Sequence, residues 1–308
     1  MRLYIAGIQG MVGSAVSRLG ASLDFEIFGS GSKHLDFKNR DKTFSELSSI
    51  KPDYLVIAAA KVGGIGANSK FPVEFLSENL QIQTNLIDAS HEAGIKKVLF
   101  LGSSCIYPKF AQQPISESSL MTGELEPTNE PYAIAKIAGL KLIEAYRKEF
   151  NHSWVSGMPT NLYGPGDNFD LENSHVLPAL IHRFHKAKID KSNSVTIWGD
   201  GTPLREFLHV DDLARAVFVL LDSYDGLEPI NIGSGQEISI LHLAEVISGV
   251  VGYKGTIQFD QRRPNGTPRK LLDSTNIFSL GWKPTIELKA GIESTYDWFL
   301  SSQERGQN

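Results

Sequence analysis

Tyr132 and Lys136 stand four residues apart in Tyr132-Ala-Ile-Ala-Lys136. On a helix that spacing stacks a phenol and an ammonium on one face. A neighbouring ammonium favours the phenolate, so the expectation is a lowered tyrosine pKa and a proton donor usable near neutral pH. Tyr–Lys pairs are common on surface helices, and this one acquires meaning only with partners. Ser103 and Ser104 supply them, because they follow Val98-Leu-Phe-Leu101, an apolar run that reads as a strand. In a doubly wound sheet, ligands bind outside the carboxyl ends of the strands, where both serines would lie. A serine and a tyrosine hydroxyl converging on one carbonyl oxygen make a site for a ketone or its alcohol. With a nicotinamide alongside, the reaction is hydride transfer.

A place for that nicotinamide is written near the start of the chain. Gly7-Ile-Gln-Gly10-Met-Val-Gly13 is a G-x-x-G-x-x-G turn between an apolar run, Leu3-Tyr-Ile-Ala6, and a helical stripe of Val12, Val16 and Leu19. Strand, glycine turn and helix in that order are the context that makes the pattern a dinucleotide site. The glycines let a pyrophosphate approach the backbone, and the N–H groups of Met11, Val12 and Gly13 sit at the positive end of the helix. The next strand ends in Phe28-Gly-Ser-Gly-Ser-Lys33, with no carboxylate before Asp36 to hold ribose hydroxyls. Ser30, Ser32 and Lys33 there suit a 2′-phosphate, so NADP(H) is expected. No metal is expected.

The elements that would position these groups alternate. Strands are expected at Leu3–Ala6, Asp24–Phe28, Tyr54–Ala60 and Val98–Leu101. Helices are expected over 10–20, 41–50 and from Pro72 to Gly94. Pro at a first helical position and Gly at an end mark that last one. This βαβ alternation predicts an α/β fold with a parallel, doubly wound sheet. After residue 160 the pattern loosens into Pro-, Gly- and Asn-rich loops (159–173, 199–203 and 264–268), and residues 228–235 read as a strand returning to the main sheet. A Rossmann domain over 1–160 with a return segment at about 205–233 is expected. A smaller mixed α/β substrate domain would take 161–204 and 234–308, closing on a helix at about 287–303.

At 308 residues, the length fits about two domains at roughly 100–200 residues each. Apolar residues make up 41% and charged residues 21%, which excludes disordered, collagen-like and disulfide-scaffold classes. The net charge of −5 gives no basic footprint for nucleic acid or anionic lipid. No apolar run approaches the roughly 18 residues of a membrane helix. A single cysteine and an N-terminus without a secretory pattern place the chain, as an expectation, in the cytoplasm.

Glycine turn, Ser103 and Tyr132-x-x-x-Lys136 together resemble the extended short-chain dehydrogenase/reductase superfamily. Longer blocks narrow this to a resemblance to the GDP-L-fucose synthase family: Ala58-Ala-Ala-Lys-Val-Gly-Gly64, Gly102-Ser-Ser-Cys-Ile-Tyr-Pro108, Glu126-Pro-Thr-Asn-Glu-Pro-Tyr132, Met158-Pro-Thr-Asn-Leu-Tyr-Gly164, Arg205-Glu-Phe-Leu-His-Val-Asp-Asp212 and Gly266-Thr-Pro-Arg-Lys-Leu-Leu-Asp273. The resemblance implies C3 and C5 epimerisation of GDP-4-keto-6-deoxy-D-mannose, then reduction at C4 by NADPH. It implies that Cys105 is the epimerisation base and His175 the acid, with Ser103, Tyr132 and Lys136 serving the carbonyl. Leu101, Gly102, Ser104, Lys136, Pro159, Thr160, Asn161, Leu162 and His175 fall on cofactor positions. Arg183, Trp198, Arg205, Asn265 and Lys270 fall on positions for the GDP part. A homodimer through the helix from Pro72 and the helix carrying Tyr132 is also implied.

Two positions depart from the family pattern. Gln9 stands where an arginine is frequent in the glycine turn, and Asn265 stands where an aspartate is frequent near the substrate. Three rivals remain at this level: the sister reaction on a 3-deoxy sugar giving GDP-L-colitose, a 4-epimerase retaining NAD, and a non-catalytic nucleotide-sensing module. A 4-epimerase has no use for Cys105 and His175. A sensor has no reason to keep Ser103, Tyr132 and Lys136.

Overall fold

The computed structural model describes residues 1–171, 174–262 and 265–306. Asn173 and Pro264, at the ends of two loops named above, lie outside the described residues. In chain order the first elements are β1 (Arg2–Ala6), α1 (Met11–Ser22), β2 (Glu26–Ser30), α2 (Arg40–Ile50), β3 (Tyr54–Ile57), α3 (Ile65–Lys70), α4 (Pro72–Glu92), β4 (Lys97–Leu101), α5 (Glu130–Phe150) and β5 (Val155–Pro159). They are followed by β6 (Asn161–Tyr163), α6 (Val176–Ile189), β7 (Ser194–Trp198), β8 (Leu204–His209), α7 (Val210–Ser223) and β9 (Ile230–Ile232). The chain continues through β10 (Glu237–Ser239), α8 (Ile240–Val251), β11 (Thr256–Asp260), β12 (Arg269–Lys270), α9 (Thr275–Ser279) and α10 (Leu288–Glu304).

Six strands form one parallel sheet in the order β2-β1-β3-β4-β5-β9. Its central strands are apolar along their whole length because both faces are covered, and Val98, Leu99 and Phe100 are fully buried. One face packs Tyr4, Leu55 and Phe100 against Leu47 of α2, Leu86 of α4 and Leu140 of α5. The other packs Leu3, Val56 and Leu99 against Val16 of α1, Leu213 and Val217 of α7 and Ile277 of α9. Each such Leu, Val or Phe stabilises the fold by about 1.5–3 kcal/mol relative to exposure. The doubly wound sheet expected from the alternation is thus present, and its strand order reverses beside β1, where such sheets bind ligands. The second strand begins two residues later than expected. Asp24 adopts φ +59°, a left-handed turn that asparagine and aspartate tolerate, so the strand starts at Glu26.

A second apolar cluster gathers Leu180 and Phe184 of α6, Leu243 and Ile247 of α8, and Ile292 and Phe299 of α10. Strand β8 lies beside it and pairs with β6, β10 and β12, while β7 and β11 form a separate parallel pair. After β8 the chain crosses back: α7 packs on α1, and β9 extends the main sheet next to β5.

Glu206 of β8 knots the two parts together. It is fully buried, and its carboxylate accepts hydrogen bonds from Gly235 N at 2.7 Å and Leu272 N at 3.2 Å. Its backbone oxygen accepts from Asn161 Nδ2 at 2.8 Å and Thr160 Oγ1 at 3.3 Å. A buried carboxylate is tolerable only when satisfied in this way.

Candidate active site

The carboxyl ends of β1, β4 and β5 and the segments that follow them gather most of the expected residues. Gly7 leaves β1 at φ +87°, and a Cβ there would stand 2.9 Å from Ala59 N. A Cβ on Gly13 would stand 2.1 Å from Gly7 O, so only glycine lets α1 start this close to the strand. Gly10 caps α1 without a side-chain hydrogen bond, and the first turn carries no acidic residue. The N–H groups of Met11, Val12 and Gly13 therefore form an uncapped helix terminus, suited to an anion.

The adenosine-side residues separate. Ser30 turns its hydroxyl inward onto Glu46 Oε1 at 3.1 Å, whereas Ser32 and Lys33 are exposed. Gln9 lies across Gly31, its Oε1 only 2.6 Å from where a Cβ would be.

At the end of β4, Leu101, Gly102, Ser103 and Ser104 follow in sequence, and Gly102 faces Met158 so closely that a Cβ would sit 2.4 Å from its sulfur. Ser103 Oγ accepts from Cys105 N at 3.2 Å, which starts a short 3₁₀ turn over Ser104–Ile106. Helix α5 brings Tyr132 to the same point, where it shares a hydrogen bond with the Ser103 hydroxyl and lies within electrostatic reach of Cys105. The ring of Phe75 from α4 packs edge-on against Tyr132 at 6.4 Å. Ser103, Cys105 and Tyr132 are thus brought together.

Lys136 acts differently from the expectation. Its ammonium donates to Leu101 O at 2.8 Å, lies 4.8 Å over the Phe100 ring, and is 6.0 Å from the Tyr132 ring centre. Burial pulls its pKa down to about 8. Tyr132 is raised, not lowered: burial dominates, the neighbouring Cys105 adds to it, and only the Ser103 hydrogen bond opposes. Helical spacing does put the two side chains on one face. The ammonium nevertheless spends its donors on the strand end, and desolvation outweighs what it gives the phenol.

Around this centre, β5 and β6 carry Pro159, Thr160, Asn161 and Leu162, held to β8 through Glu206 as described. His175 stands just ahead of α6. The residue is exposed, yet enough protein surrounds its titrating group that burial lowers its pKa. Arg183 of α6 lies 5.5 Å over the half-exposed indole of Trp198. Arg205 and Lys270 are register partners on β8 and β12. Asn265 is used locally: its Oδ1 accepts from Asp200 N at 2.9 Å and fills the space over Gly199. A small cavity beside Cys105 is lined by Lys109, Glu126, Thr267, Arg269 and Lys270. Among the described residues no cluster of three or more His, Cys, Asp or Glu could hold a metal, and no helix is long and apolar enough to cross a membrane.

Sequence reasoning missed Lys109, Glu126 and Glu206 as separate actors, though all three lie in or next to quoted blocks. It also missed Asp167. Its Oδ1 accepts from Asn168 N at 2.8 Å, while Oδ2 is buried with no hydrogen-bond partner among the described residues. Burial pushes its pKa up to about 7. The unfolded chain loses that proton near pH 4, so this group costs stability increasingly as pH rises toward 7. Asp167→Asn is therefore expected to raise Tm by a few degrees at pH 8 and by clearly less at pH 5. Thermal melts of the ligand-free protein check this, and an equal gain at both pH values would contradict it.

Residues 3–233 match the NAD dependent epimerase/dehydratase family. A GDP-L-fucose synthase from Arabidopsis thaliana is 55% identical over 304 residues, covering 98% of this chain and 94% of that protein. One from Escherichia coli is 49% identical, covering 99% and 98%. The chain belongs to the GDP-L-fucose synthase family. A solved GDP-L-fucose synthetase from Naegleria fowleri, crystallised with NADP, superposes with a TM-score of 0.91 at 28% identity, covering all of this chain and 96% of that one.

The dinucleotide that this family implies fits the residues present. Gly7 and Gly13 leave open backbone where side chains would intrude, α1 presents uncapped donors, and Ser32 and Lys33 stand exposed at the end of β2.

Proposed function

We propose that this chain converts GDP-4-keto-6-deoxy-D-mannose to GDP-L-fucose, epimerising C3 and C5 and then reducing C4 with NADPH. The observation that carries the proposal is the convergence of the Ser103 hydroxyl, the Tyr132 phenol and the Cys105 thiol at the end of β4. The two hydroxyls hydrogen-bond the C4 carbonyl oxygen. The ketone acidifies the hydrogens on C3 and C5, and the hydroxyls stabilise the enolate oxygen where charge develops. Cys105 takes each proton from one face of the sugar, and His175, a ring that can carry a proton, returns one on the other. The α1 terminus, Ser32, Lys33, the ends of β4 and β5, and Lys136 would hold NADPH, which when bound would supply the hydride for C4. Tyr132 then gives O4 its proton. Its raised pKa keeps the phenol protonated until that moment. Arg183, Arg205 and Lys270 hold the diphosphate and Trp198 packs on the nucleoside, as guanidinium and indole chemistry favours.

Two lobes meet at this site: a Rossmann domain over 1–160 with a return segment, and a substrate domain from the rest. A homodimer through α4 and α5 is supported by apolar side chains left exposed on or just before them, Phe71, Val73 and Ile134. A thiol base suits the reducing cytoplasm.

Incubation with GDP-4-keto-6-deoxy-mannose in heavy water tests the reading. Without NADPH, deuterium should enter at C3 and C5; on adding NADPH, oxidation should follow and yield GDP-L-fucose. Deuterium at C5 alone would favour a 3-deoxy substrate, and reduction without exchange would overturn the epimerase half.

A further inference from the structure

Cys105 stands in the middle of the 3₁₀ turn over Ser104–Ile106, and its short side chain puts the sulfur wherever that turn puts the backbone. The turn has little grip of its own. At its front Ser103 Oγ accepts from Cys105 N at 3.2 Å, and at its back Tyr107 N reaches Ser104 O at 3.4 Å, beyond the usual range of such bonds. The firm hold is the next side chain. Tyr107 is buried, and its phenol donates to Asn231 Oδ1 at 2.6 Å. Burial holds its pKa far above the ordinary phenol range, so it stays a donor. Asn231, on β9, is fully buried with its whole amide engaged. Its Nδ2 donates to Ile115 O at 2.8 Å and to Asp273 O at 3.1 Å, and its backbone N donates to Glu117 Oε1 at 3.0 Å. The same segments are joined by Ile115 N to Leu271 O and Asp273 N to Ile115 O, each at 2.8 Å. Residues 271–273 directly follow β12, whose Arg269 and Lys270 line the small cavity beside Cys105, as do Tyr107 and Ile115. One amide therefore fixes both walls of that cavity, the one carrying the thiol and the one carrying Lys270.

We propose that Tyr107 is a positioning residue for proton abstraction: its hydrogen bond to Asn231 sets the Cys105 sulfur at its working distance from the sugar. The proposal rests on the reading of Cys105 as the epimerisation base. A proton moves only when its donor and acceptor are aligned at contact, and a displacement of about 1 Å can cost about 10²-fold. Cys105 must meet this demand at two carbons, C3 and C5, so its turn tolerates little drift. The groups that polarise the ketone stand apart from the anchor. Ser103 leaves β4 directly, and Tyr132 arrives on α5 with the ring of Phe75 packed against it. Loss of the anchor therefore separates the two half-reactions: abstraction weakens while hydride transfer to C4 continues. Without the phenol oxygen, Asn231 Oδ1 would be a buried acceptor robbed of its donor, and the amide would lose its fixed place between residues 107, 115 and 273.

Tyr107→Phe removes one oxygen and keeps the ring. Deuterium entry at C3 and C5 without NADPH, and single-turnover hydride transfer, are measured on the same preparation across a range of substrate concentrations. The maximal exchange rate should fall by about 10–10²-fold, with KM and hydride transfer each within about threefold of wild type. Gln113→Ala serves as the comparison. It removes the hydrogen bond that Gln113 Oε1 accepts from Leu271 N at 2.8 Å, which joins the same segments away from the turn, and should leave the ratio of exchange to reduction near wild type. Exchange and hydride transfer falling together in Tyr107→Phe would show that the bond holds the fold and not the base, and would overturn the proposal. An unchanged exchange rate would overturn it too, as would a ratio moved equally far by Gln113→Ala. If Tyr107→Phe fails to fold by circular dichroism, Glu117→Ala loosens Asn231 from its half-buried side. Exchange alone should then fall severalfold, and an unmoved ratio overturns the proposal. A wild type without deuterium exchange would instead overturn the reading of Cys105 as base, whatever the variants show.

Discussion

Cys105→Ser is expected to cut deuterium entry at C3 and C5 by about 10²–10⁴-fold, the usual contribution of a positioned general base. Hydride transfer to the C4 ketone should persist within about tenfold of wild type, leaving a product that keeps the D configuration. A serine hydroxyl occupies nearly the same volume but does not ionise near neutral pH, so it preserves the 3₁₀ turn over Ser104–Ile106 while removing the base. The polarising groups are untouched, since the Ser103 oxygen accepts from the backbone N–H of residue 105 and not from its side chain. Product analysis by NMR with NADPH consumption followed in parallel separates the two steps. Equal loss of exchange and reduction would mean that Cys105 shapes the pocket and does not take the protons.

Tyr132→Phe should have the opposite profile. Reduction is expected to fall by about 10³-fold, because the donor to O4 and one of two oxyanion hydrogen bonds are lost together. Exchange at C3 and C5 should fall less, by about 10–10²-fold, because Ser103 still holds the carbonyl. NADPH affinity should stay within a few-fold, because Lys136 is anchored on Leu101 O and not on the phenol. Single-turnover hydride transfer, fluorescence titration with NADPH and the exchange assay together check the pattern. Exchange falling as far as reduction would assign the whole polarisation to Tyr132.

The parts of this fold that are legible in sequence are those whose physics is local. The apolar runs of β3 and β4, the proline opening α4 and the glycine turn before α1 each state their structure within a few residues. Their carboxyl-end geometry then places Ser103 and Ser104 without further information, while Tyr132 arrives from α5. What is not legible depends on distance. Helical spacing puts Lys136 under Tyr132, yet where the ammonium goes depends on the Leu101 carbonyl 35 residues away, and the sign of the tyrosine shift depends on burial that no spacing encodes. Ser30 lies in a run of small polar residues that looks open, but Glu46 draws its hydroxyl inward. Glu126 reaches Thr267 across 141 residues, and Glu206 gathers segments near 160, 235 and 272. Asp167 carried one local sign, a Gly-Pro-Gly-Asp turn, but the burial of its Oδ2, without a partner among the described residues, exists only once the chain is packed around it.

The claim at the centre is that one pair of hydroxyls polarises one carbonyl for two successive reactions. Ser103→Ala tests it most directly, because Ser103 neither takes a sugar proton nor delivers the final one. The rate of deuterium entry without NADPH and the single-turnover rate of hydride transfer are measured on the same preparation. A shared oxyanion site predicts that both fall, each by about 10–10²-fold, with the ratio between them nearly unchanged. Exchange at the wild-type rate beside slowed reduction would show that proton abstraction uses a different polarising site.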